Sequence, residues 1–348
     1  MMNKITLKSR PVNVRIFLNK CYEQMFNMPR RGNLSMDDEK AYLVAQMYYL
    51  ENLTQAEIAH RLNISRPQVS RLLSYARRKG MVQISIRPIH QSGAEDLSKR
   101  LKDALSLDDV VVANNTDDEE ESILESISNT ASDYISRVLK DGEIVGWGWG
   151  KTVYRTVTKL KRLKTFPSSL FVPLIGGAGQ TVRYYQVNSI VEKASEIFGA
   201  KCMYLNAPAF FDDRKTLESF LRKGQIANVV NIWERIDVAI FGLGKPVYDS
   251  EILKSEMEPS LILELIRERA VGDILARFFD EDGKICSPRL NDLILGIKMD
   301  DLLKIPRRIC LCGGYEKIKG MITAGKMGFY NVLITDHSTA ESILERVC

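Results

Sequence analysis

The chain is poor in the residues on which much enzyme chemistry rests. Its 348 residues include three histidines, His60, His90 and His337, and six cysteines, Cys21, Cys202, Cys286, Cys310, Cys312 and Cys348. The cysteines are scattered and form no C-x-x-C pair. Cys310-Leu311-Cys312 lies in an apolar run with strand alternation, so buried free thiols are expected there rather than a zinc site, and no metal ligands are assigned. No run of about 18 apolar residues occurs, which leaves no helix to span a bilayer and no membrane partner. The N-terminus lacks the apolar core of a signal peptide, and the expected location is the cytoplasm. There is no repeat period and no low-complexity segment.

What is present is unevenly spread. Hydrophobic residues make up 45% and charged residues 27%, the balance of an ordinary soluble protein long enough for two cores. The net charge of +5 hides an asymmetry. Residues 1–90 carry 15 Lys+Arg against 6 Asp+Glu, and the remainder carries 34 against 38. A basic head on a mildly acidic body suits a nucleic-acid binder whose second domain has another task.

The head contains the most informative stretch. Thr54 with Glu57, and Ser65 with Gln68, are two capping boxes, each opening a helix. Ile58, Ala59 and Leu62 give the first helix one apolar face. Asn63 stands where the chain must turn sharply and tolerates a left-handed backbone. Pro67 is harmless in the first turn of the second helix. Val69, Leu72, Leu73 and Ala76 form that helix's buried stripe. Two short helices with donors on the outer face of the second define a helix-turn-helix, whose second helix enters the major groove. The candidate DNA-contacting residues are Thr54, Gln55, Ser65, Arg66, Gln68, Ser70, Arg71, Ser74, Arg77 and Arg78. Gln68 and Arg71 are the candidate base readers, while Arg77, Arg78 and Lys79 suit phosphate or solvent. A helix over 37–51 precedes the motif, with Leu43, Met47 and Leu50 on its inner face. Val82, Ile84 and Ile86 alternate as a short strand ending at Pro88, half of a wing. The DNA-binding domain is therefore placed at 36–88 and a linker at 89–93. Residues 1–35 read as a basic arm, either disordered or tracking DNA phosphate; a natural start at Met36 is a third reading.

From residue 94 strands alternate with helices, the pattern of an α/β domain with a doubly wound parallel sheet. Strands are expected at Val110–Ala113, Glu143–Gly146, Leu170–Ile175, Cys202–Leu205, Val238–Gly242, Arg308–Cys312 and Val332–Thr335. Helices are expected at 119–139, 151–161, 185–198, 213–232, 315–325 and 338–346. Ligands of such sheets bind beyond the strands' carboxyl ends. Gly146-Trp147-Gly148-Trp149-Gly150-Lys151-Thr152 offers glycines for close approach and donors at a helix start, a recipe for holding phosphate. It is neither a Walker A loop nor a Rossmann fingerprint. Gly176, Gly177, Gly179 and Gln180 follow another strand, Gly242, Gly244 and Lys245 a third, and Gly313, Gly314 and Lys317 a fourth. All four are expected to converge on one crevice for an anionic ligand.

The order of these motifs resembles that of the SorC/DeoR-type sugar-binding transcriptional regulators. The matching segments are residues 53–73, Gly148–Thr152, Pro173–Gly177, Ala207–Pro208, Val238–Gly244, Gly272–Asp280, Gly313–Lys317 and Asn331–Asp336, so the resemblance covers residues 37–348. It implies a DNA-binding head and an effector domain related to phosphosugar isomerases and deaminases. It further implies double-stranded operator DNA and a phosphorylated sugar or similar metabolite as partners, and a homodimer or homotetramer. Carried over, Gly148, Gly150, Lys151 and Thr152 would hold the phosphate. Gln180, Asp273 and Lys317 would face the rest of the ligand. Lys151 and the extra residues 1–35 depart from the pattern.

The alternative is a sugar-phosphate isomerase or deaminase carrying a DNA-binding head. Such chemistry needs a base beside the substrate carbon, for which only Asp273, Asp280, Asp336 and the isolated His337 offer themselves. The reading is therefore a regulator without catalytic residues or cofactor. For self-association, the segment Phe210–Trp233, with Phe210, Phe211, Leu217, Phe220, Leu221 and Trp233, is as suited to a dimer surface as to a core helix.

Overall fold

The computed structural model describes residues 14–18, 36–79, 81–86, 92–115, 118–178, 184, 186–247 and 257–347. The chain divides into two compact units, residues 1–91 and 92–348. Among the described residues no helix is long and apolar enough to cross a membrane.

In the first unit, β1 (Val14–Leu18) pairs antiparallel with β2 (Val82–Ile86), Val14 opposite Ile86. Part of the basic arm is thus a strand that completes a two-stranded ribbon; the rest of 1–35 lies outside the described residues. Among the described residues three helices follow β1: α1 (Met36–Tyr49), α2 (Gln55–Leu62) and α3 (Arg66–Arg78). Their core is Ala41, Tyr42, Val44, Ala45, Met47, Ile58, Val69, Leu73, Ala76 and Met81. Leu43, expected inside, is 40% exposed. Met47 is buried as expected, and the rest of the inner face of α1 runs through Ala41, Val44 and Ala45.

The second unit begins with α4 (Ser92–Leu105), which takes the last two residues assigned to the linker; the linker's first three residues, His90 among them, lie outside the described residues. It continues β3 (Asp109–Ala113), α5 (Glu120–Val138), β4 (Ile144–Trp147), α6 (Lys151–Lys159), β5 (Leu170–Pro173), α7 (Val187–Phe198), β6 (Lys201–Cys202), α8 (Arg214–Leu221), α9 (Gly224–Ile232) and β7 (Val238–Gly242). Then come α10 (Pro259–Arg267), a hairpin β8 (Gly272–Ile274) and β9 (Arg277–Phe279), α11 (Pro288–Asn291), α12 (Met299–Leu302), β10 (Arg307–Leu311), α13 (Ile318–Lys326), β11 (Val332–Asp336) and α14 (His337–Val347).

Seven strands form one sheet in the order β3-β11-β10-β7-β4-β5-β6, parallel throughout. β11 is buried at all five positions and β7 at its first four. These near-continuous apolar runs are what a sheet covered on both faces requires. Each large side chain fully buried, such as Trp147, Phe171 or Phe241, contributes roughly 1.5–3 kcal/mol. From β4 the chain moves outward through β5 and β6, then returns to place β7 on the other side of β4. The β4–β7 boundary is therefore the topological switch point, where the crevice of an open α/β sheet forms.

Of the strand expected over Cys202–Leu205 only Cys202 is strand, joined to Lys201 in the two-residue edge β6. The helix expected over 213–232 is two helices with a break at Arg222–Lys223. Phe211, Leu217 and Trp233 are buried in the core, and Phe210, Phe220 and Leu221 pack against it. This segment is core, not a free face for dimerisation. Cys310 and Cys312 are buried free thiols on β10 and just beyond it.

Candidate functional site

The DNA-facing candidates sit on a well-capped scaffold. Thr54 Oγ1 accepts from the Glu57 N–H at 3.3 Å, and the Glu57 carboxylate accepts from the Thr54 N–H at 2.7 Å. The Thr54 N–H and the Thr54 hydroxyl, both donating to the carboxylate, hold the Glu57 carboxyl below its ordinary range. Ser65 and Gln68 repeat the arrangement, with Gln68 Oε1 accepting the Ser65 N–H at 2.9 Å. Asn63 closes α2 at φ 52° and ψ 45°, in the left-handed region the turn needs. Arg66, Gln68, Ser70, Arg71, Ser74, Arg77 and Arg78 are all exposed, and Gln55 is half-buried.

Their engagements differ. Ser74 Oγ donates to the Ser70 carbonyl and Arg77 Nε to Tyr49 Oη at 3.0 Å. Gln68 has its carbonyl oxygen committed to the cap, whereas reading adenine needs that oxygen to accept from N6. Arg71 forms no ion pair among the described residues and extends from the same face, so its fork has the greater freedom to meet a guanine edge.

In the second unit a cavity of about 500 Å³ opens at the carboxyl ends of β4, β7 and β10. Gly150, Lys151 and Thr152 line it from β4, Gly244 and Lys245 from β7, and Gly313, Gly314 and Lys317 from β10. Trp149, Ile123, Leu124, Ile127 and Leu275 supply its apolar wall. Gly150 has φ 117°, a conformation open to glycine, and no side chain caps the first turn of α6 behind it. The N–H groups of that turn therefore carry the partial positive charge of a helix start into the cavity.

Two expectations change here. Gly148 does not line the cavity. Its N–H donates to the Ile240 carbonyl, and a methyl group on it would meet Leu275 Cδ2 at 2.6 Å, so this glycine permits packing. Of the glycine-bearing loop after β5, Gly176 and Gly177 do not line the cavity, although Tyr184 of the same loop accepts the Gly150 N–H at 2.8 Å. Gly177 pairs with Pro208, and Gly176 packs against the Pro208–Ala209 backbone. Gly179 and Gln180 lie outside the described residues.

Charge around the cavity is mixed. Lys245 Nζ lies 3.0 Å from Glu120 and 3.5 Å from Glu316. Burial alone would lower the Lys245 pKa; the two carboxylates outweigh it and hold it above the ordinary value. The Glu120 carboxyl is lowered in return by its bond to Lys245. Lys151 stands 5.6 Å over the Tyr184 ring. Asp273, on β8, is pushed up to about 6 by burial, against the opposing pull of the Ala276 N–H at 3.1 Å and of Lys317. That bond spans a turn in which Leu275 and Ala276 both have positive φ, 53° and 62°. Neither residue favours this region, so the carboxylate secures a strained hairpin tip.

The other carboxylates weighed as bases have structural engagements. Asp280 Oδ1 accepts the N–H groups of Asp282 and Lys284. Asp336 Oδ1 accepts from Ser338 Oγ and the Thr339 N–H at the start of α14. His337 pairs with Glu341 and His60 lies exposed on α2. Sequence reasoning missed Glu120 and Glu316; a carboxylate in a first helical turn looks like ordinary dipole compensation until the fold brings Lys245 to it.

A helix-turn-helix unit joined to a parallel α/β domain with a cation-bearing cavity at its switch point is the architecture of a ligand-responsive DNA-binding regulator. Residues 90–345 match the family described as "Putative sugar-binding domain", and residues 38–79 match Sigma-70, region 4. The deoxyribonucleoside regulator of Bacillus subtilis is 31% identical over 313 residues, covering 89% of this chain and 99% of its own length. The sorbitol operon regulator of Klebsiella pneumoniae is 29% identical, covering 87% and 96%. The crystal structure of that full-length regulator, SorC, superposes with a TM-score of 0.78 at 28% identity, covering 89% of this chain and 100% of that one. The chain belongs to the SorC/DeoR-type sugar-binding transcriptional regulators.

Proposed function

We propose that this regulator senses a phosphorylated sugar in the cavity at the ends of β4, β7 and β10, and that the ligand changes its affinity for operator DNA. The carrying observation is the uncapped first turn of α6 opening into the cavity beside Lys151 and Lys317. Backbone N–H groups at a helix start, with ammonium groups beside them, suit a phosphate. The half-buried hydroxyl of Thr152 and the carboxylate of Asp273 suit the ligand's remaining oxygens. The protein acts without turnover in the cytoplasm, as a dimer or tetramer. One helix-turn-helix reads only a few base pairs, and a two-fold pair matches a palindrome.

Coupling requires that the ligand bind two arrangements of the protein with different affinity. An effect of ~1–3 kcal/mol on operator binding is of the usual size. Operator titration with and without sugar phosphates, in the wild type and in Thr152→Ala plus Lys317→Ala, is the test. Ligand binding that leaves operator affinity unchanged in the wild type would refute the sensor role. Substitutions that leave ligand affinity intact would refute the site.

A further inference from the structure

We infer that the cavity selects a sugar carrying one phosphate over a sugar carrying two, and that Glu120 and Glu316 are the residues that exclude the second phosphate. This rests on the phosphosugar reading above. Among the described residues that line the cavity, the cations are Lys151, Lys245 and Lys317, and the carboxylates are Asp118, Glu120, Asp273 and Glu316. Negative groups outnumber positive ones in a place proposed to take an anion, so where each charge stands decides what can enter.

The three lysines differ in how they are engaged. Lys151 and Lys317 make no ion pair among the described residues, and the uncapped start of α6 lies beside Lys151. One phosphate finds unspent positive charge there. Lys245 is in the opposite situation. Its ammonium is shared between Glu120, at the start of α5, and Glu316, in the turn after β10. This cluster ties three segments together at the cavity wall and offers negative charge in excess. A second phosphate arriving there would have to displace two carboxylates from the ammonium they share or stand beside them. Like charges brought together at the cavity wall repel, and repulsion of this kind is how a site rejects a ligand that its shape would admit. A neutral hydroxyl meets no such penalty and can donate to either carboxylate.

The test uses the full chain and matched probes: fructose 6-phosphate against fructose 1,6-bisphosphate, ribulose 5-phosphate against ribulose 1,5-bisphosphate, glucose 6-phosphate against glucose 1,6-bisphosphate, and the three free sugars. Binding is read by calorimetry and by the fluorescence of Trp149, which lines the cavity. In the pair that binds best, the monophosphate is expected to bind roughly tenfold more tightly or better, a modest share of what a like-charge contact can cost. In Glu120→Gln plus Glu316→Gln, which frees Lys245 and keeps an acceptor oxygen at each position, that ratio should collapse or invert. Both side chains are exposed, and a melting curve checks that the variant is folded. A wild type that prefers the bisphosphate, or a ratio unchanged in the double variant, overturns the selection by charge and leaves the phosphosugar reading standing. If none of the phosphorylated probes binds, that reading and the inference fall together.

Discussion

Replacing Asp273 by Asn isolates what one buried charge costs this fold. The carboxyl's ordinary value is 3.8 and its value here is about 6, with burial the largest cause. At about 1.4 kcal/mol per tenfold change, that rise corresponds to about 3 kcal/mol against the ionised form. The side chain is half-buried at the cavity wall, and solvent reached through the cavity reduces the figure to about 1–3 kcal/mol. The direction follows from proton uptake. A carboxyl whose pKa is higher in the folded than in the unfolded chain takes up a proton on folding between about pH 4 and 6. Stability therefore falls as pH rises through that window and is level above it. Asn keeps an oxygen to accept the Ala276 N–H and never ionises. Asp273→Asn should thus stabilise the second unit by about 1–3 kcal/mol at pH 8, with the gain fading as pH approaches 4. All three tryptophans, Trp147, Trp149 and Trp233, lie in this unit, so urea unfolding followed by tryptophan fluorescence reports it selectively. Equal stability of variant and wild type at pH 8, or the same slope for both between pH 4 and 6, would refute the reasoning. Ligand affinity should fall in the same variant at pH 8, because the amide accepts a hydroxyl less strongly than a carboxylate.

Arg71→Ala should weaken operator binding by ~1–3 kcal/mol and relax sequence preference at one position, measured by anisotropy on labelled operator; unchanged affinity removes Arg71 from the readers. Ser65→Ala removes the acceptor for the Gln68 N–H and should cost about 1 kcal/mol in the first unit, read by far-ultraviolet circular dichroism. Gly176→Ala would bring a methyl group to 2.4 Å from the Pro208 carbonyl oxygen, where only backbone can yield, and should cost about 1–3 kcal/mol by tryptophan fluorescence. Gly224→Ala, with nothing within 4 Å of the added methyl, serves as its control and should be neutral or slightly stabilising.

The head was legible because its information is local. Capping boxes, a left-handed Asn and an i, i+3, i+4 stripe are set by residues within four positions of each other, and the helix boundaries follow from them. Where the signal was long-range it was weaker. Leu43 looked like an inner-face residue by spacing, but the choice of face in α1 is made by what packs against it. β1 could not be read from a basic arm, since its partner is 64 to 72 residues away along the chain.

The cavity separates the two kinds of information most clearly. Each glycine-bearing strand end was visible from composition, because glycine at a strand terminus marks a turn or a close approach. Which ends meet is a question of strand order, and strand order is written in no short segment. The four loops are equivalent on paper. In the fold, β7 returns to the side of β4 away from β5, so the loops after β4, β7 and β10 share one crevice, while Gly176 and Gly177 after β5 are spent on packing against Pro208 and Ala209. The same step explains Glu120 and Glu316. Separated by almost two hundred residues, they become partners only when β7 carries Lys245 between α5 and the turn after β10. A lysine in a glycine loop reads as a phosphate ligand when its neighbours along the chain are all that can be seen. Its neighbours in space give this one to two carboxylates, and in the proposed site the anion falls to Lys151, Lys317 and the open end of α6.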